Sequence, residues 1–534
     1  MIFNSYAFLA FFPIVTLAYY LMPMRARRPW LLAASYYFYM CWNAQYALLI
    51  AAAVLFFCSK SSFGYPINDW SDANIYFTIG KGMTRGQVVY RDLYDHKGPL
   101  LYALHALCAL ISFWDFTGVY LMEICLAALF LAGAYHLMAL YGARRCAWLM
   151  LPVLALVIYA SPGFAQGDSA EELCLPLMMW SLYGVLRHFR RGGGRMPAGE
   201  LVWQGVLAGC VFWIKFTICG VHAGLFLALL VHLAVRRDGR GLWRSLGWLV
   251  VGFALSTLPW VIYFGMNAAI HDWLRTYLYD NLFLYSASEE ASGLVPRARA
   301  MLWCGWEWVR DNPPCALLIA AGMGWFAWKR PRREALAVWL AAFLGALGIF
   351  VGGKSYPYYG LALAALVPLG FLPLGRALEG RLAHLSRRAL GSCAVVLTAG
   401  CVGLCALLSG NMAPEYGASF GQPREDTMQY RIAAYLEQTP GATLLNYGFM
   451  DAGFYTAAGL VPNVKYFHQT NVPLEEMLDE QLRYIREGVC DYVITRGKQP
   501  EWIVERYELI ATESSPNFWY DAVYLYRQKS LSSR

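Results

Sequence analysis

Charge is scarce in this chain. Only 15% of its 534 residues are Asp, Glu, Lys or Arg, where a soluble protein of that length carries about 25%. With 58% hydrophobic and 16% aromatic residues, that shortage excludes an ordinary water-soluble globule. The net charge of +8 is no nucleic-acid signature, because the surplus sits in short Arg clusters between apolar runs. A disulfide framework is missing as well. Most of the 14 cysteines, among them Cys108, Cys125, Cys210, Cys219, Cys401 and Cys405, lie inside apolar segments, where they serve as small hydrophobes. The hydrophilic tail holds a lone Cys490. The opening residues MIFNSYAFLAFFPIVTLAYYLM lack a basic n-region and a small-residue cleavage site, so they read as a retained helix. No internal repeat and no low-complexity linker is present.

Long apolar runs are what the chain has in plenty. They predict a polytopic α-helical membrane protein of about twelve transmembrane helices, near 5–22, 29–58, 118–140, 147–161, 173–189, 201–214, 217–235, 244–265, 313–328, 335–351, 357–374 and 389–408. The segment 29–58 is long enough to bend at Trp42-Asn43. Basic clusters at 25–28, 144–145, 188–195, 236–237, 329–333 and 376–388 all fall on one side, which the positive-inside rule makes cytoplasmic. That consistency requires 98–114 to be a juxtamembrane or re-entrant helix and the break at Lys215 to face outward. The outer face then receives 59–117, 161–172, the Lys215 and Lys354 turns, 266–312 and the tail from 410. The tail, 411–534, is polar. It predicts helices at 425–438 and 473–487 and strands at 443–447, 491–495, 507–512 and 522–527, hence a small α/β domain with a mostly parallel sheet. Three units are expected: a helical hairpin over 1–58, a membrane body over 59–410 and the outer α/β domain.

The densest polar stretch is residues 69–102, DWSDANIYFTIGKGMTRGQVVYRDLYDHKGPLLY. It gathers Asp69, Asp72, Asp92 and Asp95 with Lys81, Arg85, Arg91, His96 and Lys97. A mostly lipid-soluble chain keeps such a cluster at a membrane edge for a use, although a plain solvated connector is the commoner case. Asp72 has two readings: a general base towards a hydroxyl, or the N-cap of a short helix. Lys97 precedes Gly98-Pro99 at a helix start, where anions bind well. With His96 and Arg91 it is a candidate phosphate holder; the alternative pairs Arg91 and Lys97 with Asp92 and Asp95.

Three more polar signals fall on the same face. Lys215 is a lone cation in CVFWIKFTICG, and it reaches an acid, a lipid phosphate or water. Lys354 stands in VGGKSYPYYG beside Tyr356, Tyr358 and Tyr359, which also read as an aromatic belt. Asp168, Glu171 and Glu172 open a helix, where acids favour the dipole. One outward cavity holding a base, several cations and an acidic pair would suit a hydroxyl acceptor, a phosphate leaving group and a sugar.

These residues resemble a family. The loop with D…Y, then G-x-V-x-Y-R-D-x-x-x-H-K-G-P-L-L-Y, is similar to that of polyprenol-phosphate-sugar glycosyltransferases of the GT-C fold, in particular family 39 enzymes related to protein O-mannosyltransferases and aminoarabinose transferases. The resemblance covers about 60–410, with weaker support at 205–216 and 356–368. It implies that Asp72 is the general base and that Lys97 binds the lipid phosphate, although the family's Pro-Pro is Gly98-Pro99 here. Arg91, His96, Lys215 and Lys354 are candidate companions of Lys97. Asp168, Glu171, Glu172, Tyr356 and Tyr359 are candidates for the sugar and acceptor. The resemblance further implies inversion at the anomeric carbon, polyprenyl phosphate as leaving group, no nucleotide-sugar and no cofactor, and in many members no obligatory metal, with metal dependence left open. It places the protein in the bacterial inner membrane with its site outward. The partners are a polyprenyl-phosphate-linked sugar, membrane lipids and an acceptor that is a lipid, glycan or protein; no nucleic acid is expected.

A second resemblance covers only about 1–58. MIFNSYAFLAFFPIVTLAYYLMP followed by LLAASYYFYMCWNAQYALLI looks like the start of membrane-bound O-acyltransferases of the alginate or D-alanine export type. The surroundings of His222 and His232 do not match that family's catalytic histidine region. A natural fusion and a gene-model accident both account for the join. Two rivals to sugar transfer therefore stand: a lipid-linked-sugar flippase using the same cations, and an O-acyltransferase.

Overall fold

A computed structural model describes residues 45–285, 294–412, 418–497, 499–514 and 522–531, with four isolated positions before them (Thr16, Tyr19, Pro23 and Arg27). The opening helix, most of the 25–28 cluster, the Trp42-Asn43 break and the acyltransferase-like stretch up to 44 lie outside the described residues.

Apolar runs become helices because a backbone out of reach of water must satisfy its own hydrogen bonds. In chain order these are α1 (Gln45–Cys58), α2 (Ser71–Thr84), α3 (Pro99–Ile111), α4 (Thr117–Leu140), α5 (Arg144–Tyr159), α6 (Ala170–Arg190) and α7 (Ala198–Lys215). There follow α8 (Gly220–Val235), α9 (Gly239–Met266), α10 (Ile270–Leu274), a π-helical stretch (Arg275–Tyr285), α11 (Leu294–Asp311), α12 (Pro313–Lys329) and α13 (Arg332–Phe350). After a 3-10 segment (Pro357–Gly370) come α14 (Phe371–Leu382) and α15 (Arg387–Leu408).

Among the described residues, six helical segments are long and apolar enough to cross a membrane. That is fewer than the expected twelve. Several predicted spans, such as α5 and α12, form helices of 16 and 17 residues. α3 has 13 residues, too short for a full crossing. The predicted span 357–374 is a tight 3-10 segment passing into α14. Small residues let helices approach closely, as in other lipid-embedded bundles: a Cβ added at Gly205 or Gly252 would collide with the carbonyl of Leu249 or Val202 where α7 meets α9.

Polar loops sort to two ends. At one end, Arg195 pairs with Asp238 (2.6 Å), Arg236 and Arg333 donate to the carbonyls of Gly193 and Gly192, and Arg145 donates to Leu382 O (3.1 Å). The five described basic clusters thus gather together. At the other end the 59–98 loop meets the loop after α5, where Lys60 N donates to Gln166 O (2.9 Å), and Gly163 N donates to Asn312 Oδ1 (3.0 Å).

The polar tail folds onto that second end. It contributes α16 (Met428–Leu436), β1 (Leu444–Tyr447), α17 (Phe454–Ala457), α18 (Glu475–Glu487), β2 (Tyr492–Thr495), α19 (Ile503–Arg506), β3 (Tyr507–Glu513) and β4 (Val523–Gln528). The sheet order is β1-β2-β4-β3. Only β1 and β2 run parallel; β2–β4 and β4–β3 are antiparallel. This corrects the expected mostly parallel sheet. The long helical connection from β1 to β2 suits a parallel pair, whereas β3 ends at Glu513 and β4 starts at Val523, too close in sequence for the crossover of a dozen or more residues that a parallel pair needs. The tail seats on the first loop: Lys81 Nζ donates to Tyr455 O (3.2 Å), Gln87 Nε2 to Pro462 O (2.7 Å) and Tyr94 N to Lys465 O (3.0 Å).

Candidate active site

Asp72 lies in the first turn of α2, 8% exposed. Its side chain does not cap the helix. Instead its Oδ2 accepts the hydroxyl of Tyr76 (3.0 Å), one turn along, and that of Tyr358 (3.3 Å) from the 3-10 segment. Trp70 packs edge-on against Tyr358, with ring centroids 5.0 Å apart. The carboxylate is thus oriented by neutral donors, which an incoming hydroxyl can replace.

The cations arrive through close backbone contact. Gly98 N donates to Ile214 O (3.0 Å), and an added Cβ there would run into the Trp213 carbonyl. Glycine therefore lets the loop press against the end of α7, which brings Lys97 beside the Lys215 turn. Lys97 Nζ lies 3.1 Å from His96 Nε2. Burial works to lower the Lys97 pKa, but the carboxylates of Asp72 and Asp95 outweigh it and hold the group above its usual value, hence charged. His96 is pushed below its ordinary value by burial and by the Lys97 charge. Asp95, with burial opposed by His96 and Lys97, stays well below the usual carboxylate range.

Lys215 ends α7 and pairs with Glu171 Oε1 (2.5 Å) at the start of α6. Its ammonium also stands 3.7 Å from the centre of the Tyr359 ring, a contact worth about 2 kcal/mol where water is excluded. Lys354 Nζ sits 3.2 Å over the Tyr285 ring and 3.4 Å from its carbonyl. The circuit closes through Tyr285, whose hydroxyl is 3.2 Å from that of Tyr359 and whose ring is 5.1 Å from His96. Tyr358, which holds Asp72, packs against Tyr359 with ring centroids 5.2 Å apart, so side chains at 72, 96, 97, 171, 215, 354 and 359 are linked in one cluster although they are far apart in the chain.

Other candidates are placed elsewhere. Arg91 is exposed and pairs with Asp92 (2.8 Å), with a further bond to Asn267 O (2.9 Å); the ion-pair alternative is the one realised, because Asp92 is its sequence neighbour. Asp168 and Glu172 have partners outside the lysine cluster. The Asp168 carboxylate holds His105 Nε2 at 3.0 Å, and its N–H is shared by Glu123 and Glu172 (both 2.9 Å). Ser59 closes the group by donating to Glu123 (2.8 Å). Glu171, one residue before Glu172, is the one of the three acids that pairs with Lys215. Tyr356 is 37% exposed, and its ring lies tilted against those of Tyr358 and Tyr359, with centroids 5.7 and 5.1 Å away.

Sequence reasoning passed over Asp95, Tyr102, Tyr285 and Asn281 as site members, and it took Tyr358 for part of an interfacial belt. Only the Y-D-H-K spacing carried a signal for Asp95; nothing local marks Tyr285 or Asn281. Among the described residues, no group of three or more His, Cys, Asp or Glu side chains is placed to hold a metal.

No protein-family model and no curated protein matches the chain. Solved structures do. The crystal structure of ArnT from Cupriavidus metallidurans bound to undecaprenyl phosphate aligns with a TM-score of 0.56 at 16% identity, over 91% of this chain and 98% of that one. The apo structure of the same protein gives 0.53 at 15% identity, over 89% and 97%. At this identity the likeness is one of fold, and it establishes the GT-C fold for the chain.

Proposed function

We propose that the protein transfers a sugar from a polyprenyl-phosphate donor to an acceptor hydroxyl at the outer face of the bacterial inner membrane, with inversion. The observation that carries this reading is the cluster in which a carboxylate held by two tyrosine hydroxyls is joined through tyrosine rings and His96 to three lysines. The fold shared with ArnT, whose structure was solved with undecaprenyl phosphate, supports the donor class.

In the proposed step Asp72 accepts the proton of the acceptor hydroxyl. The oxygen attacks the anomeric carbon, and the carbon–oxygen bond to phosphate breaks with its electron pair passing to the leaving polyprenyl phosphate. Lys97 meets that charge, with Lys215 and Lys354 alongside. An ammonium 4 Å from the phosphate is worth about 4 kcal/mol at an effective dielectric of 20, against about 1 kcal/mol in water. Expressed only in the transition state, that difference is roughly a hundredfold in rate. Glu171 has a buried Oε2 without a hydrogen-bond partner, and a sugar hydroxyl is a fitting donor to it. Tyr359 and Tyr356 offer stacking faces for the sugar and acceptor. The tail, seated on the first loop, is assigned to acceptor selection.

The basic end of the bundle supports a cytoplasmic placement there and an outward site. Mass spectrometry of polyprenyl-phosphate lipids in a deletion strain identifies the donor as the lipid-linked sugar that accumulates. Asp72→Asn separates transfer from transport: transfer is lost while polyprenyl-phosphate binding stays. Transfer at the wild-type rate in that variant would remove Asp72 as base, and acyl transfer from an acyl donor would overturn the whole reading.

A further inference from the structure

The structure assigns a positioning role to Asp95, which together with Tyr102 sets the ring state of His96 so that His96 holds the Lys97 ammonium in place. The assignment rests on the reading of Lys97 as the phosphate holder.

A lysine ammonium has three donors and no acceptor. With Lys97 Nζ at 3.1 Å from His96 Nε2, that nitrogen must present its lone pair. The ring is then neutral and carries its proton on Nδ1. Nδ1 stands 3.1 Å from Asp95 Oδ1, off the line of an ideal hydrogen bond. An ionised carboxylate beside Nδ1 favours the proton there and so keeps Nε2 free to accept. The other tautomer would point an N–H at the ammonium.

Asp95 itself is held. Its Oδ2 accepts the Tyr102 hydroxyl (2.6 Å), and the same hydroxyl oxygen accepts the Lys97 backbone N–H (2.9 Å). The flanking carbonyls are tied too: Tyr90 donates to Lys97 O (2.6 Å) and Asn281 to His96 O (2.6 Å). The backbone is thereby fixed on three sides, and the ring and ammonium are what remains to be set. Titratable groups facing the relay from neighbouring elements are Asp72, Tyr285 and Glu171 towards Lys97, Asp72 towards His96, and His468 of the tail, pushed down to about 4 by burial, towards Asp95. This reassigns His96 from a phosphate ligand to the acceptor that steers the phosphate's lysine.

The test is a double-mutant cycle on the full-length protein in nanodiscs, read as affinity for undecaprenyl phosphate, with phosphate-free undecaprenol as the control probe. Asp95→Asn and His96→Leu each weaken phosphate-lipid binding about tenfold. The double variant is about tenfold weaker, not about a hundredfold, because one residue acts through the other. His96→Gln keeps an acceptor for the ammonium and a donor for Asp95, and stays within about threefold of wild type. Tyr102→Phe, which leaves the charges untouched, weakens binding about threefold alone and by less in the His96→Leu background, where only the lost acceptor of the Lys97 N–H still acts; it serves if Asp95→Asn fails to fold. Additive losses, or a folded Asp95→Asn protein with wild-type affinity, overturn the positioning role. Lys97→Ala distinguishes the two levels: full phosphate-lipid affinity in that variant removes the functional reading itself, whereas its loss together with an additive cycle removes only the relay.

Discussion

Two groups of buried acids lie at the same end of this bundle and are built on opposite principles. Asp72 and Glu171 belong to the lysine cluster, and their partners are tyrosine hydroxyls and one lysine. Asp168, Glu123 and Glu172 form a knot tied by His105, Ser59 and the Asp168 N–H, and Glu171 and Glu172 each keep one oxygen without a hydrogen-bond partner. Asp168 and Glu123 have no exposure at all. A carboxylate paired with a buried histidine holds structure, since removing one partner leaves an uncompensated buried charge. A carboxylate held by tyrosine hydroxyls can exchange them for substrate groups. Acidity of a loop is thus a poor guide to chemistry; the partners each carboxylate keeps are a better one.

The contrast is sharpest under substitution. Asp72→Asn lowers transfer by about 10²–10⁴-fold with the thermal midpoint nearly unchanged, measured with labelled lipid donor on purified protein. Asp168→Ala does the reverse in kind: it removes one partner of a buried pair, costs about 3–5 kcal/mol, and shows as lost folded yield and a lowered midpoint in detergent. A stable Asp168→Ala protein without transfer activity would break the comparison and move that knot into the chemistry.

A smaller effect comes from Gly98→Ala. The added methyl meets the Trp213 carbonyl, overpacking of the kind that costs about 1–3 kcal/mol. Donor affinity falls about tenfold as Lys97 is pushed away from the Lys215 turn, and unchanged affinity would show that the loop can yield there. The least effect belongs to Arg91→Ala. Its ion pair is solvent-exposed, so transfer and stability stay within about twofold of wild type; a large loss would place Arg91 back among the phosphate holders.

Much of the helical body was legible because hydrophobic run length and periodicity are local. The break at Lys215, for example, is forced by a lone cation in an apolar run and appears as α7, a 3-10 turn and α8. The four strands of the tail were equally local in their β-branched and aromatic residues. Their directions were not: β2 pairs with β4 across about thirty residues, and no pattern within either strand encodes orientation. The outer end was readable as a class of residues but not as a list of contacts. Glu171 and Glu172 are adjacent, yet one reaches Lys215 and the other enters the knot, because successive helical residues point about 100° apart.

Sequence alone determined that this chain is a lipid-embedded helical bundle with its basic turns at one end and its chemistry-bearing residues at the other, since burial of apolar runs and placement of charge are properties of each segment by itself. Tertiary structure alone decided which of those residues meet. The Tyr358 hydroxyl reaches Asp72 across 286 positions, and Lys97 reaches the Lys215 turn only because Gly98 fits under a carbonyl. Such contacts arise from the packing of whole helices, whose relative placement is set by many small steric terms summed over the molecule.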